Sequence, residues 1–128
     1  MKILGVGTDI IDNRRIKFLI KKKLFISRTF SVSEINNSKK NSNKINYFAK
    51  RFAAKESFAK AVGTGFRKSL NFKDIEILNK KNGKPYFLIT NKIDKIIFKE
   101  FKVKKYKLFL SISDEKDYSV AFTILQSW

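Results

Sequence analysis

The chain has 128 residues, enough for one modest hydrophobic core, and we expect a single domain over residues 1–128. It contains no cysteine and no histidine, which excludes disulfides, thiolate chemistry, histidine-bound zinc and a histidine base. Any metal would therefore be held by oxygen, which favours a hard ion such as Mg²⁺. The formal net charge of +18 favours an anionic partner, either a phosphate-bearing ligand or an acidic protein.

The N-terminal segment predicts a strand over residues 2–11 and a helix over residues 13–23. The strand is apolar and contains Gly5 and Gly7, which permit another backbone or a ligand to approach closely. The apolar run ends on Asp9, a place where ligand-binding carboxylates are common, although Asp9 also fits an N-cap or turn before the helix. The basic side of the helix is either a solvent-exposed face without a binding role or a docking surface for an acidic partner.

The next segment predicts a helical turn over residues 25–30 and then a short helix. That helix begins at Ser31 or Ser33, with Glu34 in its first turn, as in a capping box. Residues 36–46 are polar and predict an irregular, mobile loop.

The longest helix is predicted over residues 45–62, which contain neither glycine nor proline, and Gly63 provides its stop. Four residues recur at helical spacing and form the predicted core side of this helix: Phe48, Phe52, Ala59 and Val62.

Three charged residues of the same helix allow two interpretations. Glu56 and Lys60 lie four apart along the border of the core side, and Lys55 falls inside it. One interpretation is a solvated Glu–Lys pair, with Lys55 extending its ammonium out of the core. The other is a functional site, which needs a second acidic group from elsewhere, and Asp9 is the candidate.

The C-terminal half predicts a basic connection over residues 65–71 that could fold over a phosphate. The remaining elements are strands over residues 75–78 and 85–89 with a tight turn at Asn82 and Gly83, a helix over residues 91–101, and a terminal hairpin over residues 108–113 and 119–125. The sum is an α+β fold with a mostly antiparallel sheet packed on one long central helix. We find no signal peptide and no membrane span, and expect a cytoplasmic protein.

The positive charge also permits a second function, a basic RNA- or ribosome-associated binding module without catalysis. The lysines are spread along the chain among many Asn and Ile residues, as the codon bias of an AT-rich genome produces. No recognised nucleic-acid-binding motif is present, so we expect no specific nucleic-acid partner.

Four motifs occur in order along the chain: GVGTDIIDNRRI from Gly5, RFAAKESFAKAVGTGF from Arg51, NGKPY from Asn82 and SISDEKDY from Ser111. Together they resemble the bacterial holo-acyl-carrier-protein synthases, the small class of phosphopantetheinyl transferases, and the resemblance covers residues 1–125. It implies a 4′-phosphopantetheinyl transferase-like fold. It also implies transfer of the 4′-phosphopantetheine arm from coenzyme A to a serine of apo acyl carrier protein, releasing adenosine 3′,5′-bisphosphate.

The resemblance assigns roles residue by residue. It implies that Asp9 and Glu56 hold Mg²⁺ and that Lys60 is the catalytic lysine near the pyrophosphate. The residues that match coenzyme-binding positions are Arg51, Lys55, Lys60, Gly63, Thr64, Gly65, Lys84 and Pro85. A cation and a fixed ammonium would offset the charge that builds on the leaving oxygen. The serine proton has three candidate acceptors, namely Glu56, Asp9 or a metal-bound water.

The resemblance further implies a homotrimer with coenzyme sites at the subunit boundaries and an acidic carrier protein held by the first helix. Arg15 is the principal matching contact, supported by Lys22 and Phe25. The chain departs from the family pattern at two positions: Phe109 stands where many relatives have histidine, and Asp12 where many have glutamate. The first departure removes the expected histidine contact with the nucleotide.

Overall fold

The computed structural model describes residues 1–63 and 70–128. The strands of this part are β1 (Lys2–Asp12), β2 (Ile77–Asn79), β3 (Pro85–Phe87), β4 (Tyr106–Asp114) and β5 (Tyr118–Ser127). The helices are α1 (Asn13–Leu19), α2 (Lys23–Thr29), α3 (Val32–Ser38), α4 (Lys44–Val62) and α5 (Asn91–Phe101), and a short 3-10 helix spans Phe72–Asp74. None of these helices combines the length and the apolar character that crossing a membrane requires.

The strands form two antiparallel sheets. The larger sheet has the order β1-β5-β4, and β2 pairs with β3 in a separate hairpin. Helix α4 packs against one face of the larger sheet, and the residues of β5 that face it, such as Ala121 and Leu125, are fully buried. The α+β prediction is confirmed, with the antiparallel pairing divided between two sheets.

Helix α4 supplies much of the core. Its predicted core residues are all buried, namely Phe48, Phe52, Ala59 and Val62. Gly63 ends the helix in a left-handed conformation with φ of 88°, which glycine adopts without steric cost. The sequence therefore predicted both the buried side of α4 and its end.

The helix predicted over residues 13–23 is interrupted. Helix α1 ends at Leu19, and Lys22 is extended before α2 begins at Lys23. The break allows two segments to bury apolar side chains separately, since Ile16 of α1 and Phe30 after α2 are both in the core. A single straight helix would direct the second segment away from α4.

The loop predicted over residues 36–46 was wrong over most of its length. Helix α3 continues to Ser38, and α4 already begins at Lys44. The side chain of Asn43 accepts a hydrogen bond from the Asn46 amide at 3.1 Å and so caps α4. The polar composition of this segment reflects helix capping rather than a long loop.

Candidate active site

Two glycines bring β1 against the backbone of α4. A Cβ atom added at Gly5 would lie 1.8 Å from the carbonyl oxygen of Ala61, and one added at Gly7 would lie 1.9 Å from that of Ser57. Both positions therefore require glycine, because no side chain fits between strand and helix. The close approach fixes the distance between the residues that follow on β1 and the exposed side of α4.

Asp9 lies two residues beyond Gly7 and points to the same side of β1. It is paired with Ala121 inside the sheet, so it is neither at the strand end nor an N-cap; Asp12 caps α1 instead. Asp9 Oδ1 accepts a hydrogen bond from Lys60 Nζ at 3.1 Å, and the same ammonium donates to the carbonyl of Thr8 at 3.0 Å. The carboxylate of β1 and the ammonium of α4 thus meet at one point.

Glu56 lies one helical turn before Lys60 on α4. Partial burial raises the pKa of the Glu56 carboxyl above its ordinary value of 4.5, and the nearby negative charge of Asp9 raises it further. Lys60 and Arg15 act in the opposite direction. The influence of Asp9 indicates that the two carboxylates share one electrostatic environment.

The site therefore combines two carboxylates and one ammonium at the surface. The Lys60 side chain is 54% exposed and that of Asp9 is 16% exposed, so an external ligand has access to both. Residues 1–63 and 70–128 contain no cluster of three or more acidic side chains that could hold a metal alone. A pair of carboxylates suits Mg²⁺, which usually takes one or two of them and completes its coordination with phosphate oxygens and water.

Lys55 is not part of this site. Its side chain is fully buried, and its ammonium donates to Glu34 Oε1 at 2.7 Å and to the carbonyls of Phe72 and Ile75. The interpretation in which its ammonium extends into solvent was wrong, because these acceptors satisfy the charge inside the core. The buried position is equally incompatible with the expected contact between Lys55 and a coenzyme phosphate.

Arg51 is also largely buried, but it borders an open space. Its guanidinium stacks on the Tyr47 ring, and Nη2 donates to Asn79 Oδ1 at 2.6 Å. Within the described ranges, Arg51 Nε has no hydrogen-bond partner. Arg51, Lys50 and Pro85 line a cavity of about 230 Å³. The sequence contains no signal that indicated the contact of Asn79 with Arg51.

Another cavity, of about 310 Å³, borders the same hairpin. Lys84 and Pro85 line it together with Phe109, the residue that replaces histidine. Gly63 is the C-cap of α4, three residues after Lys60. Thr64 and Gly65 lie outside the described residues. Among the expected coenzyme contacts, Arg51, Lys84 and Pro85 thus border cavities, Lys60 lies beside Asp9, and Lys55 is buried in the core.

The three residues of the expected docking face differ in their exposure to solvent. Arg15 and Lys22 are exposed. Phe25 is half-buried, with its ring centroid 6.0 Å from those of Phe30 and Phe52, so most of this ring belongs to the core. The exposed apolar side chains are instead Phe18, 69% exposed, and Leu24, 64% exposed. The periodicity of α1 offered a signal, because Phe18 falls off the apolar side formed by Ile16, Leu19 and Ile20.

Comparisons with known proteins identify the family of this chain. The family model of the 4′-phosphopantetheinyl transferase superfamily matches residues 5–123. The holo-[acyl-carrier-protein] synthase of Pelagibacter ubique is 59% identical over 126 residues, covering 98% of both chains. The crystal structure of the synthase from Neisseria meningitidis has 38% identity and a TM-score of 0.87, covering 98% of this chain and 99% of that one. The Bacillus anthracis synthase in complex with CoA (3′,5′-ADP) has 34% identity and a TM-score of 0.83, covering 100% of both chains. The chain therefore belongs to the 4′-phosphopantetheinyl transferase superfamily.

Proposed function

We propose that this protein transfers the 4′-phosphopantetheine group from coenzyme A to a serine of apo acyl carrier protein. The observation that carries the proposal is the accessible contact between Asp9 of β1 and Lys60 of α4, with Glu56 one helical turn before Lys60 and under the electrostatic influence of Asp9. Similar proteins are named holo-[acyl-carrier-protein] synthases, and the one from Bacillus anthracis was solved in complex with CoA (3′,5′-ADP).

The transfer forms a bond between the serine oxygen and the phosphorus that carries the pantetheine arm. The bond from this phosphorus to the bridging oxygen of the pyrophosphate breaks, and adenosine 3′,5′-bisphosphate leaves. The serine O–H bond breaks as well, and its proton passes to Glu56, Asp9 or a water molecule. Lys60 stabilises the negative charge that develops on the leaving oxygen, because the Thr8 carbonyl and Asp9 hold its ammonium in place before the reaction. A fixed ammonium needs little reorganisation during the reaction.

Asp9 and Glu56 are the residues that would hold Mg²⁺. Their oxygens provide the hard ligands that this ion prefers, and two carboxylates leave positions for phosphate oxygens and water. Bound Mg²⁺ supplies neutralisation of the pyrophosphate charge. The raised pKa of Glu56 fits a cation-binding site, because a bound positive charge would relieve the repulsion between the two carboxylates.

The coenzyme would extend from this point toward the β2–β3 hairpin. Arg51 and Lys50 bring two positive charges to the 230 Å³ cavity, where Asp114 lies 3.9 Å from Lys50, and Pro85 forms part of its wall. Lys84 contributes a further cation on the adjoining cavity. These positive charges suit the phosphates at the nucleotide end of coenzyme A.

The acidic carrier protein would bind the face formed by α1 and α2. Arg15 and Lys22 provide exposed positive charge, and Phe18 and Leu24 provide exposed apolar surface beside it. This combination suits an acidic protein with an apolar patch, since charges guide the encounter and apolar contacts hold the complex. Phe18 replaces Phe25 as the aromatic contact that we propose.

The homotrimer would use the face of the larger sheet that is turned away from α4. Several apolar side chains are exposed on this face, among them Val6 at 52%, Ile10 at 63%, Phe109 at 45% and Phe122 at 40%. An exposed apolar sheet face of this kind marks an interaction surface. Because β1 carries Ile10 next to Asp9, a neighbouring subunit on this face would lie close to the proposed site.

The test compares three carboxylate variants that keep side-chain size: Asp9→Asn, Glu56→Gln and the control Asp12→Asn. Asp12 lies on the same strand, but its carboxylate accepts three hydrogen bonds from Arg14, one from the backbone amide and two from the guanidinium. Mass spectrometry of apo acyl carrier protein after incubation with CoA and Mg²⁺ measures the transfer. We expect Asp9→Asn and Glu56→Gln to lose transfer and Asp12→Asn to retain it. We also expect Mg²⁺ to raise the melting temperature of the wild type and of Asp12→Asn, but not that of the other two variants.

Retention of transfer in both Asp9→Asn and Glu56→Gln would contradict the proposal. Absence of transfer by the wild type, together with salt-sensitive RNA binding that ignores these substitutions, would favour the RNA-binding function instead.

A further inference from the structure

The core of this protein contains an ion pair that takes no part in the proposed chemistry. Lys55 of α4 and Glu34 of α3 are both 0% exposed, and Lys55 Nζ lies 2.7 Å from Glu34 Oε1. Burial lowers the pKa of the Lys55 ammonium, while the negative charge of Glu34 opposes this effect. A capping box positions Glu34, because its Oε1 accepts a hydrogen bond from the Ser31 amide and its own amide donates to Ser31 Oγ.

The pair holds the backbone that leads into the β2–β3 hairpin. Lys55 Nζ donates to the carbonyl oxygens of Phe72, at 2.9 Å, and Ile75, at 2.5 Å. Glu34 Oε2 accepts a hydrogen bond from the amide of Ile77, the first residue of β2, at 3.0 Å. All three protons of the ammonium are used, and three backbone groups within six residues are attached to two side chains.

Helix α4 contacts the hairpin through a second side chain. Arg51 lies one turn before Lys55 and donates to Asn79 Oδ1 at 2.6 Å. Asn79 in turn donates to the Gly83 carbonyl at 2.9 Å, across the hairpin. Strand β2 is thus attached at both of its ends, at Ile77 to Glu34 of α3 and at Asn79 to Arg51 of α4.

The hairpin needs these attachments. Strands β2 and β3 contain three residues each, and an isolated two-stranded hairpin of this size is at best marginally stable. A buried ion pair, by contrast, gives little net stability, because the cost of desolvating both charges offsets their attraction. What Glu34 and Lys55 add beyond an apolar pair is attachment to particular backbone atoms.

We propose that Glu34 and Lys55 are positioning residues that hold the β2–β3 hairpin in the conformation that binds coenzyme A. The inference rests on the proposed function, in which Lys84 and Pro85 of this hairpin border the nucleotide end of the coenzyme. The pair acts through the hairpin and does not touch the reacting atoms. Its loss lowers the fraction of molecules that are ready to bind, which weakens apparent affinity by the same factor.

The experiment uses the full chain and two variants, Glu34→Gln and the double variant Glu34→Gln/Lys55→Met. The double variant leaves no unpaired charge in the core, so it avoids the largest penalty of breaking a buried pair. If the hairpin is competent in about one molecule in ten, the dissociation constant for coenzyme A rises about tenfold. The kcat at saturating coenzyme changes far less, since bound coenzyme restores the competent conformation.

The matched control is the double variant Ser57→Ala/Thr123→Val. The hydroxyls of Ser57 and Thr123 form a buried hydrogen bond of 2.6 Å that joins the same helix to β5 and not to the hairpin. We expect this control to lose thermal stability but to keep the wild-type dissociation constant for coenzyme A. A positioning role and a merely stabilising role therefore give different results.

Three results would overturn the inference while leaving the proposed function intact. They are wild-type coenzyme affinity in both pair variants, equal weakening of affinity in the control, and failure of both pair variants to fold. In the last case the pair serves stability alone. Failure of the wild type to bind coenzyme A or to transfer its arm would instead refute the proposed function.

Discussion

The substitution Gly7→Ala tests the contact on which the whole site depends. The added Cβ would lie 1.9 Å from the Ser57 carbonyl oxygen and 2.6 Å from the Ala61 amide nitrogen. Ordinary contact begins at 3.4 Å, so the first distance falls short by 1.5 Å, the difference between 3.4 and 1.9. Both neighbours are backbone atoms of α4, which no rotamer change can move. Strand β1 must therefore shift away from the helix.

The expected cost follows from the size of this shift. Overpacking a core with one methyl group costs up to about 3 kcal/mol, and the backbone clash at Gly7 places this case at the upper end. For a chain of this length, we expect a fall in melting temperature of about 12 °C. Asp9 moves with the strand, and a misplacement of about 1 Å lowers the rate of transfer about a hundredfold.

Thermal unfolding by circular dichroism and mass spectrometry of the carrier protein measure the two effects. Gly83→Ala is the control for stability. It also adds a methyl group at a glycine, but among the described residues no atom beyond its chain neighbours lies within 4 Å of the added Cβ, so only the strain of φ near 88° remains. That strain amounts to about 1 kcal/mol. If Gly7→Ala melts within about 2 °C of the wild type, a shift smaller than that of the control, and retains full transfer, β1 does not pack against α4 as described.

Four further substitutions test single features. The pKa of Glu56 is raised in the folded state, so between pH 4.5 and that raised pKa the folded state binds more protons than the unfolded state. The contribution of Glu56 to stability therefore falls as the pH rises through this window. In the absence of metal, Glu56→Gln should have a higher melting temperature than the wild type at pH 7 and the same melting temperature at about pH 4; equal melting temperatures at both pH values would contradict the raised pKa. Lys60→Ala should lower kcat about a hundredfold with little change in coenzyme affinity, and an equal loss in both would mean ground-state binding only. Arg15→Glu should raise the KM for carrier protein about tenfold and leave coenzyme affinity unchanged, and an unchanged KM would remove this face from the docking surface. Phe122→Asp should yield monomers by analytical ultracentrifugation, whereas a persistent trimer would mean that another face is used.

The sequence predicted the features that depend on neighbouring residues. The burial pattern of α4, its stop at Gly63, the turn at Gly83 and the bounds of α5 all follow from helical periodicity and from the backbone freedom of glycine. The capping box at Ser31 likewise predicted the first turn of α3. The same local signals failed where helices were short and polar, as at residues 36–46.

The sequence by itself determined which residues carry charge, which side of each long helix is buried, and the motif order that resembles the transferase family. Only the tertiary structure decided where the charges act. Lys55 and Lys60 lie on the same helix, yet one ends in the core on Glu34 and the other at the surface on Asp9. Their partners come from distant segments of the chain, and helical spacing cannot reveal which carboxylate the fold will bring to each ammonium.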